Sequence, residues 1–257
     1  MEEQIKDKVK QQFAKNAEKY VTSVSHAKGS DLQTMVEWLQ PQSDWTALDV
    51  ATGGGHVAKT LSPYVQQVFS TDLTREMLAT ARNHLAPSCD NIAYVVADAE
   101  ELPFLDSVFD LVTCRIAAHH FPHPDRFVKE VRRVLKPGGK FVLIDNVAPQ
   151  DPVLDQFVNT MEKLRDHSHG RCYTLAEWKG WFADNRLAVV KEESSKKTYD
   201  FPVWVRRTTE SDEQVQAVID HVLSAEPPVV DYFSVQTENG EIRSVQIDGW
   251  MVLAEKE

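Results

Sequence analysis

Cysteine is scarce in this sequence: the 257 residues include only three, Cys89, Cys114 and Cys172, and these lie far apart. They form no CxxC motif, and no spacing of carboxylates and histidines completes a set of metal ligands, so we expect reduced thiols and no metal site. No apolar run approaches the roughly 20 residues that cross a bilayer. The acidic N-terminus also lacks the apolar segment of a signal peptide. These absences predict a cytoplasmic protein with no membrane partner.

Basic side chains are outnumbered as well, with 28 Lys and Arg residues against 39 Asp and Glu residues and a formal net charge of −11. No basic stripe is present, which argues against a nucleic-acid partner, because a phosphate backbone attracts clustered cations. The sequence also has no internal repeats. With 42% hydrophobic residues it can bury one substantial core, so we expect a single domain over residues 1–257.

Helices are expected in residues 1–40, where apolar residues recur at helical spacing and a second helix over residues 31–39 ends before Pro41. Strands and helices then alternate over residues 41–150. The apolar runs predict strands at residues 47–51, 65–70, 92–97, 109–114 and 140–147, with helices at 56–61, 75–85 and 126–135. Because such alternation joins parallel strands by right-handed crossovers, it predicts an α/β fold with helices on both faces of the sheet.

Residues 151–257 are less regular. The pattern predicts, in order, helices at 153–164 and 175–182, a strand at 187–190, an inserted helical segment at 200–230, a hairpin that joins 232–237 to 242–247 through Asn239-Gly240, and a final strand at 250–254.

A glycine turn follows the first strand, in Leu48-Asp49-Val50-Ala51-Thr52-Gly53-Gly54-Gly55-His56. Glycine tolerates positive φ and lets a ligand approach the bare backbone. The alternative is a tight strand–helix turn that binds nothing.

Polar groups also end the next three strands, at Thr71-Asp72, Ala97-Asp98-Ala99 and Cys114-Arg115. In an open α/β sheet the ligand lies outside the carboxyl ends of the strands, so these groups and the glycine turn share one rim. Asp72 could accept hydrogen bonds from both ribose hydroxyls of a nucleoside, and Asp98 could accept one from an adenine amine. Taken singly, Asp72 could instead cap a helix and Asp98 could be a turn aspartate.

NAD is the competing nucleotide. Gly53-Gly54-Gly55-His56-Val57-Ala58 satisfies GxGxxG/A, and Asp72 lies 19 residues beyond Gly53, near the spacing of a ribose-binding acid. Two features favour a methyl donor. The third strand ends in an acid of its own, Asp98, and the C-terminal half ends in strands and an Asn-Gly hairpin where a dinucleotide domain would continue with β-α units.

Residues 46–148 resemble the core of the class I S-adenosylmethionine-dependent methyltransferases, within the type 11 group that includes the ubiquinone/menaquinone C-methyltransferases and many small-molecule enzymes. Four ordered motifs carry the resemblance: Asp49-Val50-Ala51-Thr52-Gly53-Gly54-Gly55, Ser70-Thr71-Asp72-Leu73-Thr74-Arg75-Glu76-Met77-Leu78, Asp98-Ala99-Glu100-Glu101-Leu102-Pro103-Phe104 and Arg132-Arg133-Val134-Leu135-Lys136-Pro137-Gly138-Gly139. Many relatives have glycine where this chain has Ala51. The resemblance implies a Rossmann-like, doubly wound, seven-stranded and mostly parallel sheet with an antiparallel C-terminal strand.

The same resemblance implies S-adenosyl-L-methionine as cofactor, bound in residues 41–150 between an N-terminal helical lid (residues 1–40) and substrate-side helices and strands (151–257). It also implies a role for each rim residue: Asp49, Ala51, Gly53, Gly54 and Gly55 for the methionine part, Asp72 with Leu73 and Met77 for the ribose, Asp98 and Ala99 for the adenine, and Arg115 for the far wall. Phe13, Tyr20 and His26 could belong to the lid, or the first helix could simply dock on the domain.

Candidates for catalysis follow the fourth strand, in Ile116-Ala117-Ala118-His119-His120-Phe121, which faces the methyl group in the family fold. His119 is the better candidate for the mouth of the site, His120 is the second, and Asp145, at the end of the fifth strand, could reach the same place. The alternative is that the histidines pack structurally under the next helix.

The charged run Arg165-Asp166-His167-Ser168-His169-Gly170-Arg171 offers Arg165, His169 and Arg171 as substrate-side residues, or is a solvated helix end. The sequence thus predicts methyl transfer to oxygen, nitrogen or carbon of a small molecule. Because the sulfonium donor is already activated, alignment and exclusion of water are the main tasks, and a base is needed only for a protonated nucleophile. A non-catalytic protein that binds S-adenosylmethionine or S-adenosylhomocysteine is the second reading, and an NAD-dependent oxidoreductase is the third.

Overall fold

The structure, a computed structural model, describes residues 2–21 and 29–257. The described helices are α1 (Glu2–Val21), α2 (Ser30–Leu39), α3 (His56–Leu61), α4 (Arg75–Leu85), α5 (Pro124–Val134), α6 (Pro152–Arg165), α7 (Leu175–Asp184), α8 (Phe201–Val205), α9 (Asp212–Leu223) and α10 (Pro227–Tyr232). Both helices predicted in residues 1–40 are present. His26 and the side chain of Tyr20 lie outside the described residues. Within residues 2–21 and 29–257, no helix has both the length and the apolarity that crossing a membrane requires.

The strands form one sheet. They are β1 (Thr46–Val50), β2 (Gln67–Asp72), β3 (Ile92–Val96), β4 (Phe109–Arg115), β5 (Leu135–Asn146), β6 (Leu187–Asp200), β7 (Gln236–Glu238) and β8 (Glu241–Lys256). Their order is β3-β2-β1-β4-β5-β8-β6, and β7 pairs with β8. Neighbours among β1 to β5 pair in parallel, whereas β8 is antiparallel to β5 and β6. The mostly parallel sheet with an antiparallel C-terminal strand is confirmed, and the hairpin adds the short β7 to the seven expected strands.

The predicted boundaries are most wrong in the last third of the chain. Where two separate strands were expected, β8 is continuous over 16 residues, because Gly249 interrupts the apolar pattern but keeps its pairing with Asn146 and Ser195. The strand expected at residues 187–190 continues to Asp200, since β6 pairs with β8 along its whole length. Tyr232 ends α10 instead of beginning a strand. The inserted helical segment is confirmed as α8, α9 and α10.

Apolar layers cover both faces of the sheet. On one face α5 buries Phe127, Val128 and Val131 completely, among strand residues such as Leu48 and Phe141. The opposite layer comes from α2, α3 and the other sides of the strands. Each such side chain contributes about 1.5–3 kcal/mol when it is removed from water. The two buried layers therefore hold the sheet, and with it the residues at the ends of its strands, in a fixed position.

The strand register places the carboxyl ends of β1 to β4 side by side. Asp49 pairs with Ser70, Val50 with Cys114, and Asp72 with Val96. The loops that follow these strands consequently leave the sheet at one edge, as the sequence predicted from the order of its elements.

Candidate active site

A cavity opens at this edge, and we call it the first cavity; its empty space, including the part open to solvent, is about 1020 Å³. The residues predicted to bind a cofactor that line it are Asp49, Ala51, Gly53, Gly54, Asp72, Leu73, Met77, Asp98, Ala99 and Arg115. Gly55 does not line it. The fold thus brings all but one of the predicted cofactor residues around one space.

The three glycines of the turn have different roles. Gly53 has φ +53°, and a Cβ there would meet only Met77 Cε, at 3.7 Å, so its backbone is open to the cavity. Gly55 has φ +78°, and a Cβ there would lie 2.6 Å from Leu85 Cδ1. Gly55 therefore allows α3 to pack against α4, and it does not line the first cavity. Ala51 also has positive φ, 53°, in the left-handed region that favours glycine.

Asp72 joins the ends of β1 and β2. Its Oδ2 accepts a hydrogen bond from Gly53 N at 3.1 Å, and its Oδ1 accepts one from Thr74 N at 2.9 Å. Burial raises the pKa of this carboxyl, although the two backbone donors act in the opposite direction. The N-cap of α4 is Thr74, so the bond to Thr74 N closes a turn before the helix and does not cap it. Each carboxylate oxygen keeps a second lone pair for a ligand.

Asp49 lies beneath the turn and is only 1% exposed. It accepts hydrogen bonds from the hydroxyls of Thr52, at 2.5 Å, and Thr113, at 2.9 Å. Burial raises its pKa to about 6. These bonds tie the glycine turn to β4, so Asp49 shapes the floor of the first cavity.

Helix α1 covers the first cavity through Lys6, Val9 and Phe13. The ammonium group of Lys6 lies 2.7 Å from both Asp98 Oδ2 and Glu100 Oε2. Burial alone would lower the pKa of Lys6, but these two carboxylates raise it. The predicted adenine-side acid therefore also fastens α1 over the cavity, and sequence reasoning missed Lys6 because nothing in an amphipathic helix marks its partner.

Arg115 forms the far wall, as expected, and it is also held by α2. Its Nε and Nη2 lie 2.6 Å and 3.1 Å from the two carboxylate oxygens of Asp31. Burial opposes ionisation of Asp31, yet Arg115 holds the pKa of that carboxyl below its usual range. Both N-terminal helices thus attach to the rim through ion pairs.

A second cavity of about 550 Å³ adjoins the first and shares Phe13, Ile116 and His120 with it. Ile116 adopts φ +53°, a conformation that is an outlier for a β-branched residue. Its N–H donates a 2.7 Å hydrogen bond to Ile144 O, which holds it in place. Such conformations cluster at functional sites, and here one lies where the two cavities meet.

His119 and Asp145 form a buried pair in the wall of the second cavity. His119 Nδ1 lies 2.6 Å from Asp145 Oδ1, and His119 N donates to Asp145 Oδ2 at 3.1 Å. Burial alone would lower the pKa of His119, but the carboxylate of Asp145 outweighs it and raises the pKa. Asp145 thus fixes the ring orientation and holds a proton on Nδ1.

His120, not His119, lines both cavities. Its Nδ1 lies 3.0 Å from Ser168 O, and the edge of its ring packs on Phe13 with centroids 5.1 Å apart. Burial and the neighbouring His119 lower the pKa of His120 to about 4. The two adjacent histidines therefore have opposite pKa shifts, an arrangement that separates acid and base roles in enzyme sites.

The charged run after α6 is only partly solvated: Asp166, Ser168 and His169 are buried, whereas His167 and Gly170 are exposed. Arg165 lines the second cavity, where its guanidinium binds Glu162 at 2.6 Å and Thr208 at 2.7 Å. His169 is 1% exposed and contacts Asn159 Oδ1 at 3.1 Å, and burial lowers its pKa.

Arg171 was expected on the substrate side, but it binds Asp155 and Glu177 and lines neither cavity. His169 lines neither cavity either, although its ring lies 5.6 Å from that of His119. Across the described ranges, no group of three or more His, Cys, Asp or Glu side chains has the arrangement of a metal site.

Comparison with known proteins places this site in context. The sequence profile described as "Methyltransferase domain" matches residues 48–143. The chain is 38% identical to the uncharacterized methyltransferase YcgJ of Bacillus subtilis over 231 residues, which cover 89% of this chain and 91% of that protein. It is 39% identical over 129 residues to the ubiquinone/menaquinone biosynthesis C-methyltransferase UbiE of Brucella canis, covering 48% of each chain.

Solved methyltransferase structures share this fold. The crystal structure of YcgJ superposes with a TM-score of 0.83 at 35% identity, covering 89% of this chain and 98% of that one. More distant structures that share only the fold, at 16% and 17% identity, include complexes with S-adenosylhomocysteine.

Proposed function

Because this chain belongs to the S-adenosylmethionine-dependent methyltransferases, we propose that it methylates a small molecule bound in the second cavity, with the donor in the first. The observation that carries this proposal is the junction of the two cavities at Ile116 and His120. A donor and an acceptor in adjoining spaces can meet in line, and such orientation supplies much of the rate enhancement that proximity allows.

The residues of the first cavity fit S-adenosylmethionine. Two carboxylates at neighbouring strand ends, Asp72 and Asp98, offer acceptors for ribose hydroxyls and an adenine amine. The open backbone at Gly53 allows close approach of the amino-acid part. Bound there, the cofactor supplies an activated methyl group. The chain's own task is to align the acceptor and to exclude water, and α1 covers the cavity through Val9 and Phe13.

We assign the role of base to His119 when the acceptor arrives protonated. Its Nδ1 is engaged by Asp145, while Nε2 has no hydrogen-bond partner in the described part of the chain and the ring lines the second cavity. Neutral His119 can therefore accept a proton at Nε2, and Asp145 stabilises the imidazolium that results. Because the pKa of His119 is raised, turnover that uses this base increases as pH rises through a value above about 6.5.

The first experiment compares ligands. Calorimetry and thermal unfolding with S-adenosylhomocysteine and with NAD should show binding of the former only, and at 100 times its Kd the stabilisation should be about 2.7 kcal/mol. A preference for NAD would refute the proposal.

The second experiment tests turnover. Metabolite fractions are screened with a labelled methyl donor, and any methylated acceptor is then used with the variant His119→Ala. Turnover should be lost because the base is removed. The affinity for S-adenosylhomocysteine should be unchanged, because His119 does not line the first cavity. The exposed neighbour His167 gives the matched variant His167→Ala, which should retain activity. Donor binding without turnover on any fraction would favour a non-catalytic binding protein.

A further inference from the structure

Cations line the second cavity of this acidic protein. Arg165, Lys197 and Arg207 contribute to its wall, and Asp166 is the one carboxylate among the lining residues within the described ranges. Asp166 already accepts hydrogen bonds from the backbone and hydroxyl of Ser168. The whole chain has a net charge of −11, so a locally positive cavity is not a consequence of its composition.

Two of these cations lack an anionic partner. Arg165 is bound to Glu162, whereas the side chains of Lys197 and Arg207 form neither a hydrogen bond nor an ion pair with the residues that the structure describes. The carboxylate that raises the pKa of Lys197 is that of Asp31, which Arg115 already holds. Partial removal from water and the charges of Arg115 and Arg207 lower the pKa of Lys197. An anion between Lys197 and Arg207 would relieve this repulsion.

Aromatic side chains form the rest of the wall. Phe13, Tyr199 and Trp204 line the second cavity, and Tyr199 and Trp204 lie with ring centroids 5.7 Å apart. The Arg165 guanidinium lies 4.4 Å from the Trp204 ring centroid and the Lys197 ammonium 5.3 Å from the Tyr199 ring centroid, so one face of each ring is already occupied. The remaining aromatic surface suits the apolar body of a small ligand, while the two cations without an anionic partner suit an acidic group.

We infer that the methyl acceptor is a small organic acid, with an apolar or aromatic body and a carboxylate or phosphate that binds Lys197 and Arg207. This inference rests on the proposed function, because it concerns the acceptor side of the same site. It adds two residues that the sequence pattern did not single out. Both come from the region after α7: Lys197 from the distal part of β6, and Arg207 from the turn after α8.

The test measures binding of matched probes to the protein loaded with S-adenosylhomocysteine. Benzoate and phenyl phosphate represent the two acidic groups, and benzamide is the uncharged counterpart. Binding is followed by ligand-observed NMR in wild type and in the double variant Lys197→Gln/Arg207→Gln. The preceding residues provide a control with the same change in net charge, Lys196→Gln/Arg206→Gln, because Lys196 pairs with Asp248 and Arg206 with Asp212, outside both cavities.

At least one acidic probe should bind about tenfold or more tightly to wild type and to the control variant than to Lys197→Gln/Arg207→Gln. The reason is that this double variant loses the hydrogen bonds between the acid and two charged side chains. Benzamide should bind wild type more weakly than the acids do, and its affinity should be the same in all three proteins. Equal binding of acid and amide, or equal loss in both double variants, would overturn the inference.

Calorimetry with S-adenosylhomocysteine on all three proteins separates this result from the proposed function. Absence of nucleoside binding to wild type overturns the proposed function, and the acid probes still report on Lys197 and Arg207 in the unloaded protein. Normal nucleoside binding with no preference for acids overturns the acidic acceptor alone.

Discussion

Asp145→Asn tests the buried histidine pair directly, because the carboxylate of Asp145 is what raises the pKa of His119. An amide keeps the size of the side chain and can still accept a hydrogen bond from His119 Nδ1. It turns an NH₂ group toward His119 N, where the carboxylate accepts a 3.1 Å hydrogen bond. Losing one bond to a buried backbone N–H costs about 1–3 kcal/mol of the free energy of unfolding.

The larger consequence is a change in pH dependence. In wild type the folded-state pKa of His119 is raised, so its stabilising contribution is complete below about pH 6.5 and is lost as pH rises through the folded value. Without the carboxylate, burial dominates and the folded-state pKa falls below that of the unfolded chain. Each unit of difference corresponds to about 1.4 kcal/mol. The stability difference between wild type and variant should therefore be largest at mildly acidic pH and shrink toward alkaline pH.

Urea unfolding at several pH values measures this difference, and NMR titration of the His119 ring reports its pKa in both proteins. An unchanged titration of His119 in Asp145→Asn, or a stability difference that grows with pH, would refute the assignment of Asp145 as the charge that acts on His119.

Three further predictions concern the rim and the turn. Asp72→Asn should weaken S-adenosylhomocysteine binding by tenfold or more in calorimetry while circular dichroism stays native, since a charged acceptor is lost; equal affinity would leave Asp72 with only its structural bonds to Gly53 N and Thr74 N. Gly55→Ala should lower the free energy of unfolding by about 1–3 kcal/mol, because its Cβ would lie 2.6 Å from Leu85 Cδ1. The control Gly180→Ala lies on α7, where a Cβ would meet no atom within 4 Å, so it should raise the free energy of unfolding by about 0.5–1 kcal/mol. Because the pKa of His120 is lowered to about 4, wild type should lose stability as pH falls from 6.5 toward 4, by roughly 1.4 kcal/mol per pH unit, and His120→Gln should flatten that slope in acid unfolding.

The parts of the site that sequence predicted best are those fixed by the sheet. Asp72 and Asp98 each follow a short apolar run, and the register of parallel strands leaves no other place for them than the shared rim. The glycine turn lies on this rim for the same reason. The packing requirement for glycine at position 55 could not be predicted, because it comes from Leu85, which lies on a different helix.

Residues whose role depends on distant contacts could not be predicted. Lys6 is one of many lysines on a charged helix, and only the docking of α1 brings it to Asp98 and Glu100. Lys197 lies in a strand whose side chains are exposed from residue 189 to 198, so no apolar alternation indicated that the strand continues beyond residue 190. The relative positions of His119 and His120 depend on a turn whose geometry the sequence does not specify: His119 lines the second cavity, and His120 lines both.

The position of β8 determines when this sheet can be completed during synthesis. β8 is the last strand in chain order, yet it lies between β5 and β6 and pairs with both. As the chain leaves the ribosome, β1 to β5 can assemble first, while β5 has an unpaired edge and the 14 residues of β6 have no neighbour. Unpaired strand edges promote association between nascent chains. Release of residues 241–256 is consequently the step that ends this exposure, and a ribosome stalled before it would hold an aggregation-prone intermediate.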